Sequence, residues 1–170
     1  LLVLGGALLG ALMGALWEWV WTPPTGAAWE GEWYLDRDGL IHDVDSTGWF
    51  VTIGLIGGIA YGAIAGKWCR AQPLVVLAGT VIGSLAAAWV MYQVGHLLGP
   101  PDPHVRALTA GDWDPIVSDL RLAGSDAPAW LLGFGSTAML ALPLGALISL
   151  VGIFLGGAER RRGATDSTQP

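Results

Sequence analysis

The sequence predicts an all-α integral membrane protein: four transmembrane helices forming a duplicated helical hairpin, with a small extracytoplasmic cap that contains β structure. Three observations carry this fold class. The first is composition: 53% of the 170 residues are hydrophobic and only 13% charged, where soluble domains are about one quarter charged. The second is four apolar runs, residues 1–21, 48–68, 73–98 and 129–156, each beyond the ~18 residues that let a helix cross the hydrocarbon core. The third is internal repetition, which assigns 1–72 to a first hairpin with its outer loop at about 23–47. A second hairpin follows at 73–157, with its loop at about 99–128, and 158–170 is a cytoplasmic tail.

The first helix, Leu1–Trp21, is too long for the ~7–15 apolar residues of a signal peptide and shows no basic start. A short segment is expected to precede Leu1, because no initiating Met is present. Tryptophan prefers the headgroup level, where its ring is half wet and its N–H finds a partner. Trp17, Trp19, Trp21, Trp49, Phe50 and Trp130 therefore read as a belt at the outer helix ends, and Trp68 as an inner marker.

In the first loop, aromatic residues from Trp29 to Tyr34 precede Asp36-Arg37-Asp38-Gly39, and Leu40–Val44 follows. This reads as a hairpin turning at 36–39. In the second loop, Ile116–Leu122 reads as a strand that joins the first loop in the cap, since loops of about 25 residues without structure of their own are unusual. Asp36, Asp38, Asp43 and Asp45 lack EF-hand spacing and read as a solvated acidic loop.

Helix two carries Gly54, Gly58, Gly62 and Gly66 on one face. Helix one carries Gly6, Gly10 and Gly14, and helix three Gly79 and Gly83, followed by Ala87. Without a hydrophobic drive between helices in lipid, close approach over small residues supplies the contact. These glycines are the candidate helix-packing or partner-docking residues, with helices one and two expected to pack through them. Pro143 reads as a kink near the middle of helix four, and the tail from Gly163 to Pro170 as disordered.

The repeat aligns Gly6 with Gly79 and Gly10 with Gly83. In each half a double proline (Pro23-Pro24, Pro100-Pro101), an acidic loop and a small-residue–Trp pair (Gly48-Trp49, Ala129-Trp130) follow. Two copies in one orientation imply a pseudo-twofold axis along the membrane normal. Lys67, Arg70, Arg160, Arg161 and Arg162 flank one side, against Arg37, Arg106 and Arg121 on the other. The positive-inside rule then places the protein in the plasma (inner) membrane with both termini cytoplasmic.

The net charge of −6 is concentrated in the two outer loops, and the absence of a basic surface argues against a nucleic-acid partner. Cys69 is the single cysteine, so no intramolecular disulfide forms. His42, His96 and His104 lack metal-ligand spacing, and no phosphate loop or nucleophile motif is present. No catalytic residue, cofactor or metal site is expected. Glu18, Gln93 and His96 form a candidate polar cluster at the outer interface.

No Asn, one Lys and seven Arg fit translation from a very GC-rich genome. With the Gly/Ala/Leu-rich duplicated hairpin, the acidic outer loops and Trp49-Phe50 at the start of helix two, the chain resembles small actinobacterial four-helix membrane proteins. Within that group it is similar to the accessory subunits, called lipid uptake coordinators, that accompany mycobacterial Mce lipid importers. That resemblance implies a subunit that docks by its helices onto a permease and assists lipid import. It carries over no functional residue. The expected function is a non-catalytic accessory or stabilising subunit of a larger membrane complex, with permease or transporter subunits and the lipid bilayer as partners. The competing expectation is a small homo-oligomeric transporter or channel.

Overall fold

The computed structural model describes residues 1–35, 37–68, 72–124 and 135–166, with 37–44, 68 and 157–166 described by backbone alone. The elements are α1 (Leu2–Val20), β1 (Thr25–Trp29), β2 (Glu32–Leu35), α2 (Arg37–Trp68), α3 (Pro73–Leu98), α4 (Pro103–Ala107), β3 (Pro115–Val117), a 3₁₀ turn (Thr137–Leu140) and α5 (Ala141–Asp166). Four helical segments are long and apolar enough to cross a membrane. A three-stranded antiparallel sheet of order β2-β1-β3 joins the two long loops in one cap.

The hairpin turn falls at Glu30-Gly31, not at 36–39. Both residues have positive φ, 51° and 80°, the combination a two-residue type I′ loop requires. Leu40–Val44 is not a strand but part of α2, and Asp36 lies outside the described residues. Strand formation in the second loop stops at Val117. Ser118, Asp119 and Leu120 turn inward and are buried.

The fourth helix does not run unbroken from Ala129. Residues 125–134, including Trp130, lie outside the described residues, and Gly135 and Ser136 are not helical. The Ser136 side chain accepts from Ala138 N and caps the 3₁₀ turn, the usual job of serine at such a position. Pro143 therefore sits in the first turn of α5, where its missing N–H has no helical partner to lose, and makes no mid-helix kink. At the other end α5 continues through Gly163 to Asp166, so that part of the tail is helical.

The glycine faces pair helices differently from expectation. A Cβ on Gly6 would collide with the Gly83 carbonyl, one on Gly10 with that of Ala87, and one on Gly14 with that of Met91. These pairs advance together along both chains, so α1 and α3 run parallel with backbones in contact. The α2–α5 pair repeats the pattern, with Gly58 against the Leu142 carbonyl and Gly62 against that of Ala146. Helices one and two meet far less extensively. Consecutive helices of a hairpin run antiparallel, so the parallel contacts seen here join helices of different hairpins.

Around the bundle the order is α1, α3, α5, α2. This corrects the twofold expectation. A twofold along the helices lets one equivalent pair meet on the axis and forces the other apart. Here both pairs, α1–α3 and α2–α5, touch backbone to backbone. The first helices of the two hairpins pack on each other, and so do the second.

Candidate functional site

Beneath the cap the bundle is plugged. Trp17, Phe50, Met91, Leu120 and Leu142 are fully buried there. Trp17 and Phe50 meet edge to face at 4.9 Å, a geometry the ring quadrupoles favour. Trp17 Nε1 donates to Ser46 O at 2.8 Å, and its ring lies on the bare Cα of Gly95. So Trp17, Trp21 and Phe50 belong to the core rather than to an interfacial belt, whereas Trp19 is 79% and Trp49 44% exposed. The composition of this helix end places tryptophans near an interface; the direction each one points follows from its neighbours.

The segment 118–123 ties the plug to the cap. Ser46 Oγ donates to Arg121 O at 2.7 Å, and Ala123 N donates to Thr47 Oγ1 at 2.8 Å. Ser136 Oγ donates to Ala123 O at 2.8 Å. The Arg121 guanidinium holds Asp119, which is buried, and Asp102 at 3.0 Å. A buried carboxylate is stable only when paired in this way. The sequence marks Arg121 only as a cation of the outer side; apart from Arg121 with Asp119, these pairings join positions 13 or more residues apart.

The expected polar cluster is distributed. His96 Nδ1 lies 3.0 Å from Leu120 O and its ring stacks on Tyr92 at 5.9 Å. Gln93 instead lines a groove with Trp89, Tyr92, Leu122, Ser136 and Met139. Among the described residues no hydrogen bond joins Glu18, Gln93 and His96. The groove holds about 240 Å³. A second groove of about 390 Å³ lies on the other side of Ser136, between Val51 and Leu55 of α2 and Ala141 and Leu144 of α5.

Of the candidate glycines, Gly6, Gly10, Gly14, Gly58 and Gly62 face a partner backbone. Gly83 faces Gly6 and lies under the Tyr61 hydroxyl, which donates to Leu2 O at 2.9 Å. Gly54, Gly66 and Gly79 meet side chains or are more loosely packed. Sequence reasoning missed Gly57, which receives Met13, Gly95 under Trp17, and Gly145 against the Leu55 carbonyl. Gly5, Gly152 and Gly156 are exposed with nothing near them.

The outer face of the sheet is also open. Cross-strand partners share a face, so Ala27 with Tyr34 and Pro115, and Trp29 with Glu32, point the same way. Ala28 and Ile116 point inward onto Ala107, with Trp33 packed beside them. Trp113 packs against Trp29 with ring centroids 4.7 Å apart and planes tilted by 53°. Among the described residues, no three His, Cys, Asp or Glu side chains converge into a metal-binding group. No protein-family model, curated protein or solved structure matches the chain.

Proposed function

We propose that the chain is a non-catalytic accessory or stabilising subunit of a larger membrane complex, a lipid transporter such as an Mce-type lipid importer. The observation that carries this reading is the filled interior. Trp17, Phe50, Met91, Leu142 and Leu150 are fully buried in the bundle, where a solute pathway needs lining groups that replace hydration. The outward faces supply the complement. Leu4, Leu8, Leu12 and Leu16 form an exposed apolar stripe on α1, and on α5 Gly152 and Gly156 are exposed with nothing within 4 Å. The acidic cap is suited to steering a basic partner surface.

The orientation belongs to the same proposal: four spans in the plasma membrane, both termini cytoplasmic, the sheet outside. Thr25→Cys and Gly111→Cys, both at exposed positions, should label with an impermeant thiol reagent in intact cells, and native Cys69 should not. Labelling of Cys69 from outside ends this topology. For function, gentle purification of the tagged chain followed by mass spectrometry is expected to bring down permease and ATPase subunits in stoichiometric amounts. A homo-oligomer that conducts ions or moves solute in liposomes without a partner would replace this reading.

A further inference from the structure

We infer that the outer face of the cap sheet docks a lysine- or arginine-bearing segment of a protein partner, its cations stacking on the Trp29–Trp113 pair among the surrounding carboxylates. This rests on the accessory-subunit reading and names the surface and the chemistry of its partner.

The face is rich in aromatic rings and, among the described residues, uncovered. Tyr34 is 57% exposed, Trp29 38% and Trp113 70%, with Ala27 and Pro115 between them by register. Trp113 is not a loose end. Its φ is +69°, a region that bulky residues avoid, yet it is held there by donating its N–H to Ala28 O at 2.7 Å. Ala28 N donates to Asp114 O at 3.1 Å, and Glu30 N to Asp112 Oδ1 at 3.0 Å. Two loop tips far apart in sequence are thus fixed so that two exposed indoles sit together, their centroids 4.7 Å apart.

Charge selects the occupant. Glu30, Glu32, Asp112 and Asp114 surround the aromatic pair. Of the three arginines on this side, Arg37, Arg106 and Arg121, Arg121 is committed to Asp119 and Asp102 at the plug. Carboxylates so placed repel an anionic lipid surface and another copy of the same acidic face. They attract ammonium and guanidinium groups, which also bind over indole rings. Electrostatic complementarity of this kind fixes partner choice and accelerates encounter.

The test uses the full chain in nanodiscs and fluorescein-labelled hexa-arginine and hexa-lysine peptides, read by anisotropy at physiological salt, with empty nanodiscs as reference. Trp113→Ala is expected to weaken peptide binding about 5- to 30-fold, the range of a cation–π contact. Glu30→Gln with Glu32→Gln, whose side chains make no hydrogen bonds among the described residues, should weaken it and flatten its salt dependence. Equal binding by wild type and Trp113→Ala overturns the inference, as does equal binding by empty nanodiscs. A change of oligomeric state on Trp113→Ala with unchanged peptide affinity assigns the face to a second copy and also overturns it. If the partner co-purifies undiminished with Trp113→Ala, the accessory reading stands and this surface is wrong. If peptide binding follows the aromatic pair but nothing co-purifies, the surface stands and the accessory reading fails.

Discussion

Replacing Gly10 or Gly62 by leucine is expected to stop the bundle assembling, while Gly152→Leu leaves it folded. The contrast follows from what a side chain meets. At Gly10 the added Cβ runs into the Ala87 carbonyl, and at Gly62 into that of Ala146. The obstacle is backbone, so no rotamer change relieves it. The helices must separate along the contact, which in lipid is the main source of their attraction. Inserting methylenes into a packed core already costs ~1–3 kcal/mol, and prising two backbones apart costs more than that. At Gly152 nothing lies within 4 Å, and leucine there adds apolar surface to an exposed face. Size-exclusion profiles and melting temperatures in detergent separate the outcomes. Equal tolerance of leucine at Gly10, Gly62 and Gly152 would show that backbone contact does not hold the bundle.

These glycines also show what the sequence disclosed and what it withheld. The four-residue spacing at Gly54, Gly58, Gly62 and Gly66 identifies a contact face from one segment alone, because helical periodicity is local. The helix it touches is not local information. α1 could have met α2 or α3, and the choice rests on whether stripes running parallel or antiparallel mesh. The bundle resolves it by setting parallel helices in contact, with Gly6 against Gly83 and Gly58 against Leu142. The same limit explains the turn. Asp36-Arg37-Asp38-Gly39 has hairpin composition, yet the chain turns at Glu30-Gly31 and is already helical from Arg37. Turn chemistry states where a chain is able to reverse. The pairing of Trp29 with Glu32 and of Gly26 with Ile116 decides where it does. The sheet itself was legible as two loops meeting in a cap, because both loops carry aromatic and branched residues near turn formers. The docking face on it was not, since it needs Trp113, from the second loop, beside Trp29, from the first.

Trp17→Ala is expected to destabilise the protein by about 3–5 kcal/mol, the range for emptying a large aromatic site, and Trp19→Ala by less than about 0.5 kcal/mol. The two residues are neighbours but one for sequence purposes, and both qualify for an interfacial belt. Their surroundings separate them. Trp17 has no exposed surface, fills the space over Gly95, meets Phe50 edge to face and donates its N–H to Ser46 O. Its loss removes dispersion contacts on three helices at once and leaves a void where α1, α2 and α3 converge under the cap. Trp19 is 79% exposed, so its removal opens no cavity. Trp17→Phe tests the division within the site. It keeps much of the ring packing and deletes the hydrogen bond, a term worth ~0.5–1.5 kcal/mol, so it should fall between wild type and alanine. Melting temperature followed by circular dichroism in detergent orders the three variants. Because Ser46 also donates to Arg121 O, loosening this point should reach the 118–123 segment, and amide hydrogen exchange there should rise in Trp17→Ala. A Trp19→Ala protein less stable than Trp17→Ala would reverse the assignment of core and surface at this end of the bundle.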